Sequence, residues 1–160
     1  MKNNHLLKVA LAQISPVWFK KKATLLKIKN SISEAAKNHA ELIIFGEGLL
    51  PGYPFWLALT KGAAWNTKMN KELHAHYINN SVTIENGDLN ELCTLAKKHQ
   101  IAIYLGIIEC PKDRGGHSLY ASLVYINSLG AIQSVHRKLQ PTYDESCLLY
   151  TSDAADELRS

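Results

Sequence analysis

Apolar and polar positions follow two different rhythms along this chain. Residues 8–14 (KVALAQI) switch every second position, the period of a strand. Residues 20–38 place Leu25, Ile28, Ile32 and Ala35 at helical spacing among Lys and Asn, which predicts a helix with one apolar face. Residues 42–45 (LIIF) form a short apolar run suited to a strand buried on both faces. Strand, helix and strand in this order predict a parallel pair with a right-handed crossover. The next stretch, FGEGLLPGYPFW, carries Gly46, Gly48, Pro51, Gly52 and Pro54, so it reads as a loop leaving the end of a strand. Residues 66–80 predict a polar helix. Residues 88–99 predict a stronger one, with Asp88 as cap, Glu91 three positions on, and Leu89, Leu92, Cys93 and Ala96 on one face. Residues 101–108 (IAIYLGII) suit a central strand. Residues 119–126 and 131–136 suit two antiparallel strands joined by Ser128-Leu129-Gly130. The sum is an α/β layered sheet rather than a helix bundle or a β-sandwich, with no internal repeat and no low-complexity linker.

Composition narrows the function classes. At 160 residues, 46% apolar and 20% charged, the chain has the make-up of one globular domain. No apolar run approaches the roughly 20 residues that cross a bilayer. The N-terminus shows no apolar signal core, so a cytoplasmic location is expected and a membrane partner is not. Cys93, Cys110 and Cys147 are odd in number and form no CxxC pair, which suggests neither a disulfide framework nor a zinc site. The net charge of +4 is mild. Its one tight basic cluster, Lys20-Lys21-Lys22, reads as a solvated helix start, and nucleic acid is not expected as a partner.

Candidate chemistry gathers at strand ends, where ligands of α/β sheets tend to sit. Glu47, flanked by two Gly just after an apolar strand, is expected to be partly desolvated, as suits a general base. Its plainer reading is a loop acid paired with a Lys. Lys138 can aim an ammonium at developing negative charge, or be a solvated strand-end Lys. Arg137 beside it should point to the opposite side and take a structural role. Glu145, seven residues past Lys138, can add a second carboxylate to the same pocket or be a surface acid. His74 and His76 point about 200° apart on a helix and cannot chelate one metal from one face. Trp18, Trp56 and Trp65 are candidates for the wall of an apolar pocket, with ordinary packing as the alternative.

Two of these segments resemble one family. AELIIFGEGLLPGYP at 40–54 is similar to the first signature of the nitrilase and cyanide hydratase branch of the carbon–nitrogen hydrolases. The match takes in the apolar pair, the aromatic before Glu47, Glu47 itself, the apolar residue three later and the closing Gly-Tyr-Pro. The family pattern opens with Gly where this chain has His39, and His can also visit positive φ. HRKLQPTYDE at 136–145 resembles the second block, which carries the family's Lys and a following Glu, and KVALAQISPVW resembles its first strand. Two blocks in order are far more specific than one short motif.

The resemblance implies the N-terminal half of an αββα sandwich, truncated, spanning residues 1–145, and a Glu-Lys-Cys triad. Carried over, Glu47 is the general base, Lys138 stabilises the tetrahedral intermediate, and Glu145 is a supporting acid. A Cys thiolate attacks a nitrile carbon to give a thioimidate, and water then releases ammonia and a carboxylic acid. No metal or organic cofactor is implied; the partner is a small nitrile or amide, and full-length relatives form homo-oligomers. The family's nucleophile lies downstream of the Lys block, and no Cys of this chain matches it. Cys93 reads as core, Cys110 matches no family site, and Cys147 lacks the strand-to-helix elbow. An amidase or carbamoylase of the same superfamily, and a catalytically dead interaction module, are the alternatives. From Cys147 on, CLLYTSDAADE resembles the translation of a transposon-type sequencing adapter, so residues 146–160 are expected to be non-native and to pack against nothing. The chain as written is expected not to hydrolyse nitriles. Its apolar strands are expected to keep a face open, which favours aggregation or dimeric association.

Overall fold

The computed structural model describes residues 6–62, 64 and 67–149. Its centre is a five-stranded sheet in sequence order: β1 (Val9–Ala12), β2 (Leu42–Phe45), β3 (Ala102–Glu109), β4 (Tyr120–Ile126) and β5 (Ile132–Arg137). β1, β2 and β3 run parallel, and β4 and β5 continue the sheet antiparallel. The helices are α1 (Lys21–Lys37), α2 (Trp56–Leu59), α3 (Lys68–Asn80) and α4 (Asn90–His99). Among the described residues no helix is long and apolar enough to cross a membrane.

The apolar stripes seen in the sequence decide which face of the sheet is covered. Ile28, Ile32 and Ala35 of α1 and Leu92 and Ala96 of α4 pack on Ile43, Phe45, Ile103, Leu105, Val124 and Ile126. Alternate residues of the same strands point the other way. There Val9 and Leu11 are exposed, Leu42, Ile44 and Tyr104 are half-buried, and Leu123 is exposed. Towards the carboxyl end of β3 that second face is roofed by a smaller cluster of Trp56, Leu57, Tyr77, Ile108, Leu119, Leu148 and Leu149. The sheet is therefore closed on one side and half open on the other. This is the layered α/β half expected from the sequence.

Local geometry follows the residues. His39 closes α1 with φ 59°, the positive value its place in the helix-to-strand turn required. Gly130 takes φ 80° in the β4–β5 turn, where Asn127 Oδ1 accepts from the amides of Leu129 and Ala131.

Four expectations need correction. Asp88 does not cap α4, whose N-cap is Leu89; its carboxylate instead accepts from Thr83 N and from Lys21 Nζ, at 2.8 and 2.6 Å. Lys21 is accordingly not simply solvated, because it also donates to Ser81 O and so ties α1 to the chain leaving α3. The loop after β2 contains the short helix α2. The segment after Glu145 does pack: Leu148 and Leu149 are buried, and Leu149 forms a parallel bridge with Leu119, because two leucines at that place fill the end of the smaller cluster. The rest of that segment, from residue 150, lies outside the described residues, as does Trp65.

Candidate active site

The loop that carries Glu47 is held by the sheet beneath it. After β2 the chain continues alongside β3: Leu50 N donates to Gly106 O, and Ile108 N donates to Leu50 O. Gly106 makes this crossing possible, since a Cβ there would lie 2.3 Å from Gly46 O and 2.6 Å from Glu47 Cα. An isolated Gly inside an apolar strand is the sequence signal for such a close approach, and the sequence reading passed over it. Tyr77 OH donates to Gly52 O from α3 and anchors the far side of the loop.

Lys138 arrives from the other end of the sheet. Its backbone N–H donates to Ala121 O, extending the β4–β5 ladder by one residue. Its Nζ donates to Glu47 Oε1 at 2.8 Å, to Glu145 Oε2 at 2.9 Å and to Thr142 Oγ1 at 3.0 Å. All three ammonium protons are thereby placed. Glu145 sits in a 3-10 turn, Tyr143–Cys147, closed by a capping box in which Thr142 N donates to Glu145 Oε2 at 2.7 Å. The three residues singled out from sequence thus converge on one ammonium.

Their exposure differs from expectation. Glu47 is 54% exposed, so the desolvated carboxylate is not this one but Glu145, at 1%. The reason is position: Glu47 lies in the exposed loop after β2, while Glu145 lies in the 3-10 turn beside Tyr53. Burial by itself would raise the Glu145 pKa, but hydrogen bonds from Lys138 and from the Thr142 amide outweigh it and hold the value below the ordinary one. Burial likewise opposes the charged form of Lys138, and the bonds to Glu47 and Glu145 outweigh it and raise its pKa. Lys138 is an ammonium at neutral pH. The Tyr53 hydroxyl interacts with Glu145 and Thr142; burial, then the Glu145 carboxylate, raise its pKa. Tyr53 and Thr142 are site residues that sequence reading did not single out, although both lie inside the two matched segments.

Glu47 and Lys138 open onto a cavity of about 460 Å³, also lined by Ser122, Leu123, His136 and Leu139. That volume suits a small molecule. Cys147, exposed, lines a different cavity. Cys110 is buried, with Sγ against Gly116 O, and Cys93 is half-buried against the main core. Burial raises the pKa of both thiols. Of the aromatic candidates, Trp18 stacks edge-on with Phe55 and Trp56 is buried among Phe19 and Tyr77. Among the described residues no group of His, Cys, Asp or Glu could hold a metal ion.

On the other side of the sheet, Arg137 does take the structural role expected of it. Its Nε and Nη2 donate to Glu109 Oε2 and Oε1, at 2.9 and 2.8 Å, and its guanidinium lies over the Tyr120 ring. Ser122 Oγ donates to Glu109 Oε2 at 2.7 Å.

Residues 8–157 match the family described as Carbon-nitrogen hydrolase. This chain belongs to that family. Among curated relatives of this carbon–nitrogen hydrolase, an arylacetonitrilase of Aspergillus oryzae is 34% identical over 139 residues, covering 87% of this chain and 38% of the relative. An aliphatic nitrilase of Rhodococcus rhodochrous is 34% identical over 149 residues, covering 93% and 38%. In fold, the crystal structure of a carbon–nitrogen hydrolase from Helicobacter pylori superposes with a TM-score of 0.65 at 20% identity, covering 94% of this chain and 46% of the other. The chain thus spans about two fifths of the curated relatives it matches.

Proposed function

We propose that this chain is the Glu- and Lys-bearing part of a nitrilase, which converts a small nitrile and two waters to a carboxylic acid and ammonia. The observation that carries the reading is the convergence of Glu47 and Glu145 on Lys138 Nζ beside a cavity. The named nitrilases among the relatives favour a nitrile over other substrates of the family.

In this reading Glu47, exposed and tethered through one oxygen only, takes the proton of a cysteine thiol as its sulfur adds to the nitrile carbon. The proton passes to nitrogen, giving a thioimidate. Water adds, ammonia leaves, and a second water releases the acid and the thiol. Lys138 stabilises the negative charge of each tetrahedral adduct. Glu145 is a positioning residue: buried and ionised, it keeps Lys138 charged and aimed. The thiol belongs to sequence beyond these 160 residues. Residues 1–145 are read as family domain and residues from 146 as adapter-derived, against a family match that runs to residue 157 and the burial of Leu148 and Leu149, and sequencing of the source DNA through codon 147 decides between them.

The reading predicts no ammonia from the 160-residue chain on a panel of aliphatic and aromatic nitriles. It predicts ammonia once the chain is extended by a relative's C-terminal part, with loss on Glu47→Gln or Lys138→Met. Release of ammonia from amides but not nitriles would assign the site to an amidase instead. Turnover by the unextended chain that vanishes in Cys147→Ala but survives Cys93→Ala and Cys110→Ala would overturn the reading.

A further inference from the structure

The three acceptors around the Lys138 ammonium are Glu47 at 2.8 Å, Glu145 at 2.9 Å and Thr142 at 3.0 Å, and they are not equivalent. An ammonium has three protons, so stabilising charge on a reacting molecule requires one bond to be given up. Glu47 comes from the loop after β2, lines the cavity and is 54% exposed, and ion pairs that exposed are worth little. Its bond is the one to exchange, all the more so when it serves as a base. Glu145 and Thr142 approach together from a single turn and its N-cap. With Glu47 withdrawn, Lys138 rests on that pair alone. The count matters because nitrogen is tetrahedral and the lysine stem is flexible. Held through one proton, the ammonium still turns about that bond. Held through two, with the Cε–Nζ bond as the third constraint, its remaining proton has one direction.

Local geometry locks Thr142 into this place. Its Oγ1 accepts from the Glu145 N–H in the capping box, while its own N–H donates to Glu145 Oε2 at 2.7 Å. Oγ1 accepts from Lys138 Nζ as well. A hydroxyl has two acceptor lone pairs and one proton, so both lone pairs are taken and the proton is left to donate, with the Tyr53 hydroxyl as its neighbour. The reciprocal bonds also fix Thr142 and Glu145 relative to each other, so the two acceptors move as one piece. We propose that Thr142 is a second positioning residue of this site: with Glu47 engaged elsewhere, its hydroxyl and the Glu145 carboxylate hold Lys138 at two points and aim the third ammonium proton into the cavity. The consequence for rate rests on the nitrilase reading; the holding of the ammonium does not.

Nitrogen-15 relaxation of the lysine ammonium groups in the 160-residue chain tests the holding. In Glu47→Ala, Lys138 should stay ordered, well above the exposed Lys68. Adding Thr142→Val should bring Lys138 down to the mobility of Lys68, and adding Thr142→Ser instead should keep it ordered. Thr142→Ala gives the same reading as the valine variant without a β-branched side chain at the start of the turn. A Lys138 as mobile as Lys68 in Glu47→Ala itself, or unchanged order after loss of the Thr142 hydroxyl, would leave Thr142 as a cap of its turn and overturn the proposal. The first of these outcomes needs no change at residue 142. In the chain extended by a relative's C-terminal part, Thr142→Val should lower kcat on nitriles about tenfold or more while KM changes less than about twofold, with rescue by Thr142→Ser. A rise in KM alone would make Thr142 a substrate-binding residue and overturn the positioning role. No ammonia from the extended parent would sink the nitrilase reading, and ammonium relaxation would still decide this one.

Discussion

Arg137 and Lys138 are neighbours in sequence, and each is held by carboxylates, yet the two clusters are built differently. On the Arg137 side both oxygens of Glu109 accept from described partners, and Glu109 is buried. On the Lys138 side Glu47 is more than half exposed, and Lys138 Nζ reaches only its Oε1. The first cluster is saturated and faces inwards; the second is incomplete and faces a cavity. A saturated ion pair has nothing left to offer a substrate, whereas an incomplete one does. The strand alternation that sends adjacent side chains to opposite sides lets one tether β5 while the other is presented.

The largest effect should come from breaking the saturated side. Arg137→Met leaves Glu109 as an unpaired buried carboxylate, and urea unfolding should show a loss of about 3 kcal/mol. A loss below about 1 kcal/mol would remove the distinction between the clusters.

Acidification probes the other side. The folded pKa of Glu145 lies below its ordinary value of 4.5, so its contribution to stability is present above that pH and is lost as pH falls through the depressed value. The mirror case is Lys138, whose contribution is present below 10.5 and lost as pH rises through its raised folded value. Stability of Glu145→Gln should therefore depend less on pH in the acid range than that of the parent chain; parallel curves would show that Glu145 is not held by these bonds.

Smaller effects separate the clusters further. Ser122→Ala removes one of the bonds to Glu109 and should cost about 1 kcal/mol. Glu47→Gln, at an exposed position, should change stability by less than about 0.5 kcal/mol. If Glu47→Gln cost as much as Arg137→Met, the open cluster would be structural after all.

What could be read from sequence followed periodicity and matched segments. All five strands and the two long amphipathic stretches were legible because a period of two or of 3.6 survives without tertiary information. The meeting of Glu47, Lys138 and Glu145 was legible only through the two resembling blocks, since nothing local to residue 47 refers to residue 138. What was missed depends on tertiary contact. Asp88 had the look of a helix cap, but Lys21 and the Thr83 amide compete for the same carboxylate. Glu47 looked desolvated from its apolar strand, yet burial is set by what lies above the loop, and Glu145 takes the covered place.

The Glu47–Lys138 bond joins positions 91 residues apart. On a ribosome adding about 5–20 residues per second, the ammonium emerges roughly 5–18 s after the carboxylate. The strand that carries Gly106 emerges within that interval, so the loop can be seated across the sheet while its counter-charge is still being made. Synthesis order thus lays down the carboxylate and its platform first, and the residue after the last strand brings the ammonium to them.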